Sequence, residues 1–180
     1  MRVLGVDPGT VACGWGVVDE VAGRPRFVAG GVFRPRGTLP QRLAALHAGV
    51  AALLAEHLPN CVSLEQSFVG ANVQSALRLG EARGSILVAA ATAAVDVAEY
   101  SPAAIKVAVA GNGRAAKEQM QQMVAHILGV AADLPADQAD ALGAAICHLN
   151  SRRFADLVAV EAALGGGRAR RGGGRAGRRR

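Results

Sequence analysis

Four acidic residues, Asp7, Glu65, Asp137 and Asp140, hold positions from which they could act together. Asp7 follows the apolar run Val3-Leu4-Gly5-Val6 and precedes Pro8-Gly9, so it stands where a buried strand ends in a turn. Glu65 closes the run Cys61-Val-Ser-Leu in the same way. Asp137 and Asp140 are three apart in the first turn of a predicted helix, which places them on one face. Carboxylates are the donors that hard divalent cations take, and Mg2+ or Mn2+ keeps several waters beside them. Two such ions about 4 Å apart can activate a water and steady the leaving oxygen in phosphodiester hydrolysis. Four acids gathered with no cation between them would repel one another strongly. Each acid also has a local explanation: Asp7 as the cap of a Pro-Gly turn, Glu65 as a strand-end charge, Asp137 and Asp140 as stabilisers of a helix N-terminus.

The elements that must deliver these acids follow from apolar periodicity. After the Pro8-Gly9 turn, 14–18 reads as a strand ended by Asp19-Glu20, and 26–33 as a third, in the manner of an antiparallel meander. Leu39, Leu43, Leu46, Val50, Leu53 and Leu54 recur at helical spacing and stop before Pro59. The strand 61–65 leads to a loop, 66–71, carrying Phe68. A long helix from about Asn72 to Ala94 follows, with Arg78 and Arg83 on its early turns. Gly80 and Gly84 share one of its faces, so another backbone could approach there, either the sheet or a second copy. A strand over 95–100 precedes Ser101-Pro102, a capped helix start. Gly111-Asn112-Gly113 breaks that helix, a second runs from Ala115 to Leu128, and a last from about Ala136 to Arg153. The order implies an α/β domain with a mixed sheet.

At 180 residues and 51% hydrophobic, with only 3% aromatic, the chain fits one aliphatic-cored domain. Cys13, Cys61 and Cys147 are odd in number and far apart, which argues for a reducing compartment and against a disulfide framework. Asp7 and Pro8 interrupt any signal-peptide core, and the apolar stretch 86–95 is too short to span a bilayer. A soluble cytoplasmic protein is expected. The net charge of +6 is local. Seven arginines (168, 170, 171, 175, 178, 179, 180) lie after Leu164 with no acid, and without them the charge is −1. We expect a folded domain over 1–154 and a segment over 155–180 that ends in a disordered Gly/Arg tail, able to bind phosphate backbones weakly or only to aid solubility.

Gly5-Val-Asp7-Pro-Gly-Thr, Glu65-Gln-Ser-Phe68, Ser75-Ala-Leu-Arg-Leu-Gly-Glu-Ala-Arg83-Gly and Asp137-Gln-Ala-Asp140-Ala-Leu together resemble the RuvC family of bacterial Holliday-junction resolvases, in order and spacing from about Arg2 to Asn150. The resemblance implies an RNase H-like fold with a five-stranded mixed sheet flanked by helices. It implies a homodimer that makes paired symmetric nicks in four-way junction DNA during recombination and repair, with Mg2+ or Mn2+, two ions per active site. Asp7, Glu65, Asp137 and Asp140 fall on the family's metal-binding acids. Asp7 would be shared between ions, Glu65 and Asp140 would hold one each, and Asp137 would complete a site or orient the water. Phe68 matches a loop aromatic that contacts bases near the junction, as an exposed ring can by stacking. Lys106 and Lys117 match basic positions along the DNA path, and Arg78 and Arg83 join them. Val11 departs from the pattern, standing where a basic or polar residue is expected. The pathway's junction-binding and branch-migration motor proteins are implied partners. The alternatives are a non-catalytic junction-binding protein, or a nuclease of this fold acting on RNA or another branched substrate. An actin-like ATPase would need a second lobe that 180 residues do not provide.

Overall fold

Alternation along the strands decides which residues meet which helices, and it is laid down from the first strand. The computed structural model describes residues 1–66 and 73–165. Its elements are β1 Arg2–Asp7, β2 Cys13–Val21, β3 Arg24–Phe33, α1 Leu39–His57, β4 Cys61–Glu65, α2 Val73–Thr92, β5 Asp96–Tyr100, α3 Pro102–Ala110, α4 Lys117–Leu128 and α5 Ala136–Gly165. The sheet order is β3-β2-β1-β4-β5. β1, β2 and β3 pair antiparallel, whereas β4 joins β1, and β5 joins β4, in parallel.

Strand β2 runs past Asp19-Glu20, which the sequence reads as its end. Arg2 donates to both Asp19 carboxylate oxygens at 2.8 Å from the neighbouring strand, so the acids are accommodated within the ladder. The hairpin turns instead at Ala22 and Gly23, both with positive φ (49° and 73°), the handedness that two-residue hairpin loops require. Ser101 Oγ accepts from the Ala104 amide at 3.2 Å and caps α3 as its Ser-Pro start predicts, and Gly111 ends that helix at φ 69°.

Successive strand residues face opposite sides. Leu4, Val6, Cys13, Val17, Val62 and Leu64 pack with Leu46, Val50 and Leu54 of α1 and Ile86 of α2. Val3 and Val18 turn the other way, into a cluster with Ile105 and Val109 of α3, Met120, Val124 and Leu128 of α4, and Leu142 and Ile146 of α5. Cys13, Cys61 and Cys147 are all buried, and none forms a disulfide. Gly80 and Gly84 of α2 make no close approach to the sheet, because a Cβ at either would meet no atom within 4 Å.

Met1–Leu149 forms one compact unit, and a second begins at Asn150. In the second unit the chain stays helical to Gly165, beyond the expected end at Arg153, with Phe154, Leu157, Val158 and Val160 exposed. No helix among the described residues is long and apolar enough to cross a membrane.

Candidate active site

The positions of Asp7 and Glu65 follow from register. β1 and β4 run parallel with Val3 opposite Cys61, Gly5 opposite Ser63 and Val6 opposite Leu64. One step further, Asp7 and Glu65 end their strands at the same edge, on the face shared with Val3 and Gly5, under α5. Gly14 is the cross-strand partner of Asp7 on β2.

Helix α5 reaches these acids because the strands beneath its first turns carry only glycine or serine there. Gly30, Gly16, Gly5 and Ser63 lie in register across β3, β2, β1 and β4. A Cβ on Gly5 would lie 1.9 Å from the Ala141 carbonyl oxygen, and one on Gly14 would lie 1.8 Å from that of Asp137. Ser63 Oγ donates to the Ala144 carbonyl at 2.7 Å. The first turns of α5 therefore rest backbone-to-backbone on the sheet, which brings Asp137 and Asp140 over the ends of β1 and β4.

The electrostatics register that convergence. The Asp7 carboxyl is pushed up to about 7, first by burial and then by the charges of Asp140, Glu65 and Asp137, with Lys117 opposing. Glu65 is raised by burial and by Asp140, against Lys106 and Lys117. Lys117, at the start of α4, places Nζ 3.2 Å from Asp140 Oδ2, and this bond, with the neighbouring acids, raises its own value. A half-buried carboxylate beside three others is costly, and a bound cation relieves that cost. All four donors are oxygens, as a hard divalent cation prefers, so the residues fit such an ion chemically. Among the described residues no three His, Cys, Asp or Glu side chains stand at mutual ligating distance, so the acids form a charge cluster and not a closed coordination shell.

A cleft of about 310 Å3 opens beside the acids, lined by Glu65, Lys106, Lys117 and Asp140 with the apolar Pro102, Ile105 and Met120. Both expected lysines thus stand at the acids, where they can hold a phosphate. Arg78 is exposed at a second recess, bounded by Gly9–Ala12 of the β1–β2 turn and by Gln74, Ser75 and Leu79. Val11 is exposed in that turn and offers no polar group there. Phe68 lies outside the described residues, as does the Gly/Arg tail. Arg83, expected on the DNA path, turns inward: it donates to the Glu65 carbonyl at 3.0 Å and pairs with Glu99 of β5. Sequence reasoning missed that role, as well as Gly5, Gly14 and Ser63. The glycines had a readable signal, since Gly14-Trp15-Gly16 repeats with the strand period, a pattern that marks close backbone approach.

Residues 3–148 match the family model described as crossover junction endodeoxyribonuclease RuvC. The chain is 48% identical over 160 residues to a protein of that name from Oleidesulfovibrio alaskensis, covering 88% of this chain and 96% of that one. Its fold superposes on Thermus thermophilus RuvC in complex with a Holliday junction substrate with a TM-score of 0.81 at 37% identity, over 86% of this chain and 96% of that one. The yeast mitochondrial Holliday junction resolvase Ydc2 gives 0.62 at 15% identity, over 82% and 77% of the two chains, a likeness of fold alone.

Proposed function

The chain belongs to the RuvC family of crossover junction endodeoxyribonucleases, and from that membership we propose how its own residues resolve a four-way DNA junction. It is a Holliday-junction-resolving endonuclease of an RNase H-like fold, in a family of metal-dependent nucleases. Asp7, Glu65, Asp137 and Asp140 hold Mg2+ or Mn2+, two ions per active site. When bound, these ions activate water and neutralise the charge that develops on the phosphate. Asp7 is the central acid, because it feels the charge of all three others. Lys117 holds Asp140 until substrate arrives and then, with Lys106, binds the scissile or adjacent phosphate and steadies its developing charge. Arg78 anchors the backbone further out, which fixes register without reading sequence. Phe68 stacks on a base near the crossover. The nuclease domain is the compact unit Met1–Leu149, short of the expected end at 154.

Two copies act on one junction, one on each of the opposing strands. The outer stripe of α2 supports this pairing: Val73, Leu77 and Val88 are exposed apolar residues at helical spacing, and Gly80 and Gly84 between them would let a second helix approach closely. Selectivity then comes mainly from the shape of the junction across the dimer.

The observation that carries this reading is the meeting of four acids at Asp7, beside two lysines, in a chain of this family. The test is Asp7→Asn on a synthetic mobile four-way junction with Mg2+ or Mn2+, with cuts mapped on both strands. We expect cleavage to fall by at least about a thousandfold with junction binding retained, and the wild type to make paired symmetric nicks. Near wild-type nicking by the variant would overturn the metal-site reading. A wild type making scattered single cuts would overturn the dimeric one.

A further inference from the structure

Glu65 is the last residue of β4, and what holds it there is not the sheet alone. The β1–β4 register ends at the Val6–Leu64 pair, so Glu65 lies beyond the last partner that β1 supplies. On the other side it pairs with Tyr100, and the next amide, Gln66, donates to the Tyr100 carbonyl at 2.8 Å. Its own carbonyl accepts from Arg83 Nη1 at 3.0 Å. The other arm of the same guanidinium pairs with Glu99.

The faces matter. Glu65 points its carboxylate to the α5 side, with Asp7. Glu99 pairs in register with Leu64, whose side chain lies on the α1–α2 side. Arg83 therefore approaches from the side opposite the four acids and reaches Glu65 only through its peptide. Its side chain is 15% exposed, in contrast to the exposed Arg78 five residues earlier. A planar, fixed fork held by a carboxylate is well suited to locking a single carbonyl in place.

We propose that Arg83 is a positioning residue for the metal site: braced by Glu99 across the sheet edge, it fixes the peptide of Glu65 and thereby the direction of that carboxylate, and it does not contact DNA. This rests on Glu65 being a metal ligand. Removing a group that orients a ligand typically costs roughly 10- to 100-fold in metal affinity or activity.

The experiment compares Arg83→Gln, Glu99→Gln, Glu65→Gln and the Arg83→Gln/Glu65→Gln double variant. Mn2+ binding to the DNA-free protein is followed by electron paramagnetic resonance, junction affinity is measured across a salt series, and cleavage is measured in single turnover. Arg83→Gln should weaken Mn2+ binding and slow cleavage roughly tenfold or more, with junction affinity and its salt slope unchanged. Glu99→Gln should move both in the same direction by less. In the Glu65→Gln background, Arg83→Gln should add nothing, since both changes act on one ligand. A salt slope reduced by about one in Arg83→Gln would make Arg83 a phosphate contact and overturn the proposal. Unchanged Mn2+ binding in Arg83→Gln, where Glu65→Gln weakens it, overturns the positioning role and leaves Glu65 a ligand. Unchanged binding in Glu65→Gln overturns the metal reading of Glu65 and the proposal with it. If Arg83→Gln does not fold, Glu99→Gln carries the test, because its side chain is 38% exposed and its loss is mild for the fold.

Discussion

On the face covered by α1 and α2, the strands present Leu4, Val6, Val17, Val62 and Leu64, and the helices meet them through Leu46, Val50, Leu54 and Ile86. On the face under α5, Gly14 and Gly5 meet the helix's own backbone at Asp137 and Ala141, Ser63 bonds the Ala144 carbonyl, and Gly16 and Gly30 meet the side chains of Leu142 and Gln138. Aliphatic side chains can re-pack when a neighbour changes, so the first face tolerates small shifts. Where the α5 backbone rests directly on Gly5 and Gly14 it cannot move closer, so the second face sets the height of the helix over the strand ends. The acids stand on that second face. A site built from carboxylates on separate elements must hold its geometry to about 0.5 Å, and contact without intervening side chains supplies that accuracy.

The sharpest way to break the comparison is to put a side chain where none fits. In Gly14→Ala the new Cβ starts 1.8 Å from the Asp137 carbonyl oxygen, and in Gly5→Ala it starts 1.9 Å from that of Ala141. Relief needs a shift of about 1 Å, a displacement that commonly costs on the order of 100-fold in rate. Cleavage should fall by about that factor in the folded variants, with weaker Mn2+ binding. Gly16→Ala should do less to the rate, since its Cβ meets the Leu142 side chain and not the α5 backbone. Equal losses in Gly14→Ala and Gly16→Ala would mean that backbone contact is not what sets the site.

The opposite face should separate stability from chemistry. Leu46 is fully buried in the cluster on this face, and Leu46→Ala removes it at a cost of about 2–5 kcal/mol. Urea unfolding should register that loss while cleavage per folded molecule stays within about twofold of wild type. A loss of cleavage comparable with that of Gly14→Ala would show the faces to be mechanically coupled.

Much of this division was legible beforehand. A strand that ends in an acid before Pro-Gly, another that ends in an acid, and two acids three apart at a helix start are local patterns; Asp7, Glu65 and Asp137 stand where those patterns put them, and Asp140 falls just past the first turn. The meander and the mixed sheet followed from the spacing of the apolar runs. The row of Gly5, Gly16, Gly30 and Ser63 was not legible, because only strand register brings these residues side by side. Arg83 was misplaced for a related reason. An arginine on a helix taken alone reads as a surface charge, and only β4 and β5 packed beneath α2 show where its guanidinium goes. Strand β2 overran Asp19-Glu20 because Arg2 and Arg26, its cross-strand neighbours, make that acidic stretch favourable within the sheet. The spacing of the four acids allows them to gather and so to repel one another, and their gathering at Asp7 exists only once α5 is seated.

That repulsion gives the smallest effect and the one most specific to the α5 face. The folded value of Asp7 is about 7 against 3.8 for the ordinary carboxylate, raised first by burial and then by Asp140, Glu65 and Asp137. In metal-free protein below about pH 4 both the folded and unfolded forms keep the proton, and Asp7 carries no penalty. Between about 4 and 7 the unfolded chain ionises while the folded one does not, so stability falls as pH rises. Above about 7 both are ionised and the penalty is constant. For a half-buried group it amounts to about 1–2 kcal/mol after allowance for screening. Asp19 works the other way, being lowered by its bond to Arg2, but its contribution is lost only as pH falls through the acid range. Thermal unfolding in chelator should therefore show Asp7→Asn more stable than wild type, with the gap widening from pH 4 to pH 7 and level above. Saturating Mn2+ should close or reverse the gap by stabilising the wild type alone. No aliphatic substitution on the α1–α2 face should reproduce this pH dependence. A gap that does not change with pH would mean that Asp7 is ionised in the folded protein throughout, and that the charge cluster is less strained than its geometry implies.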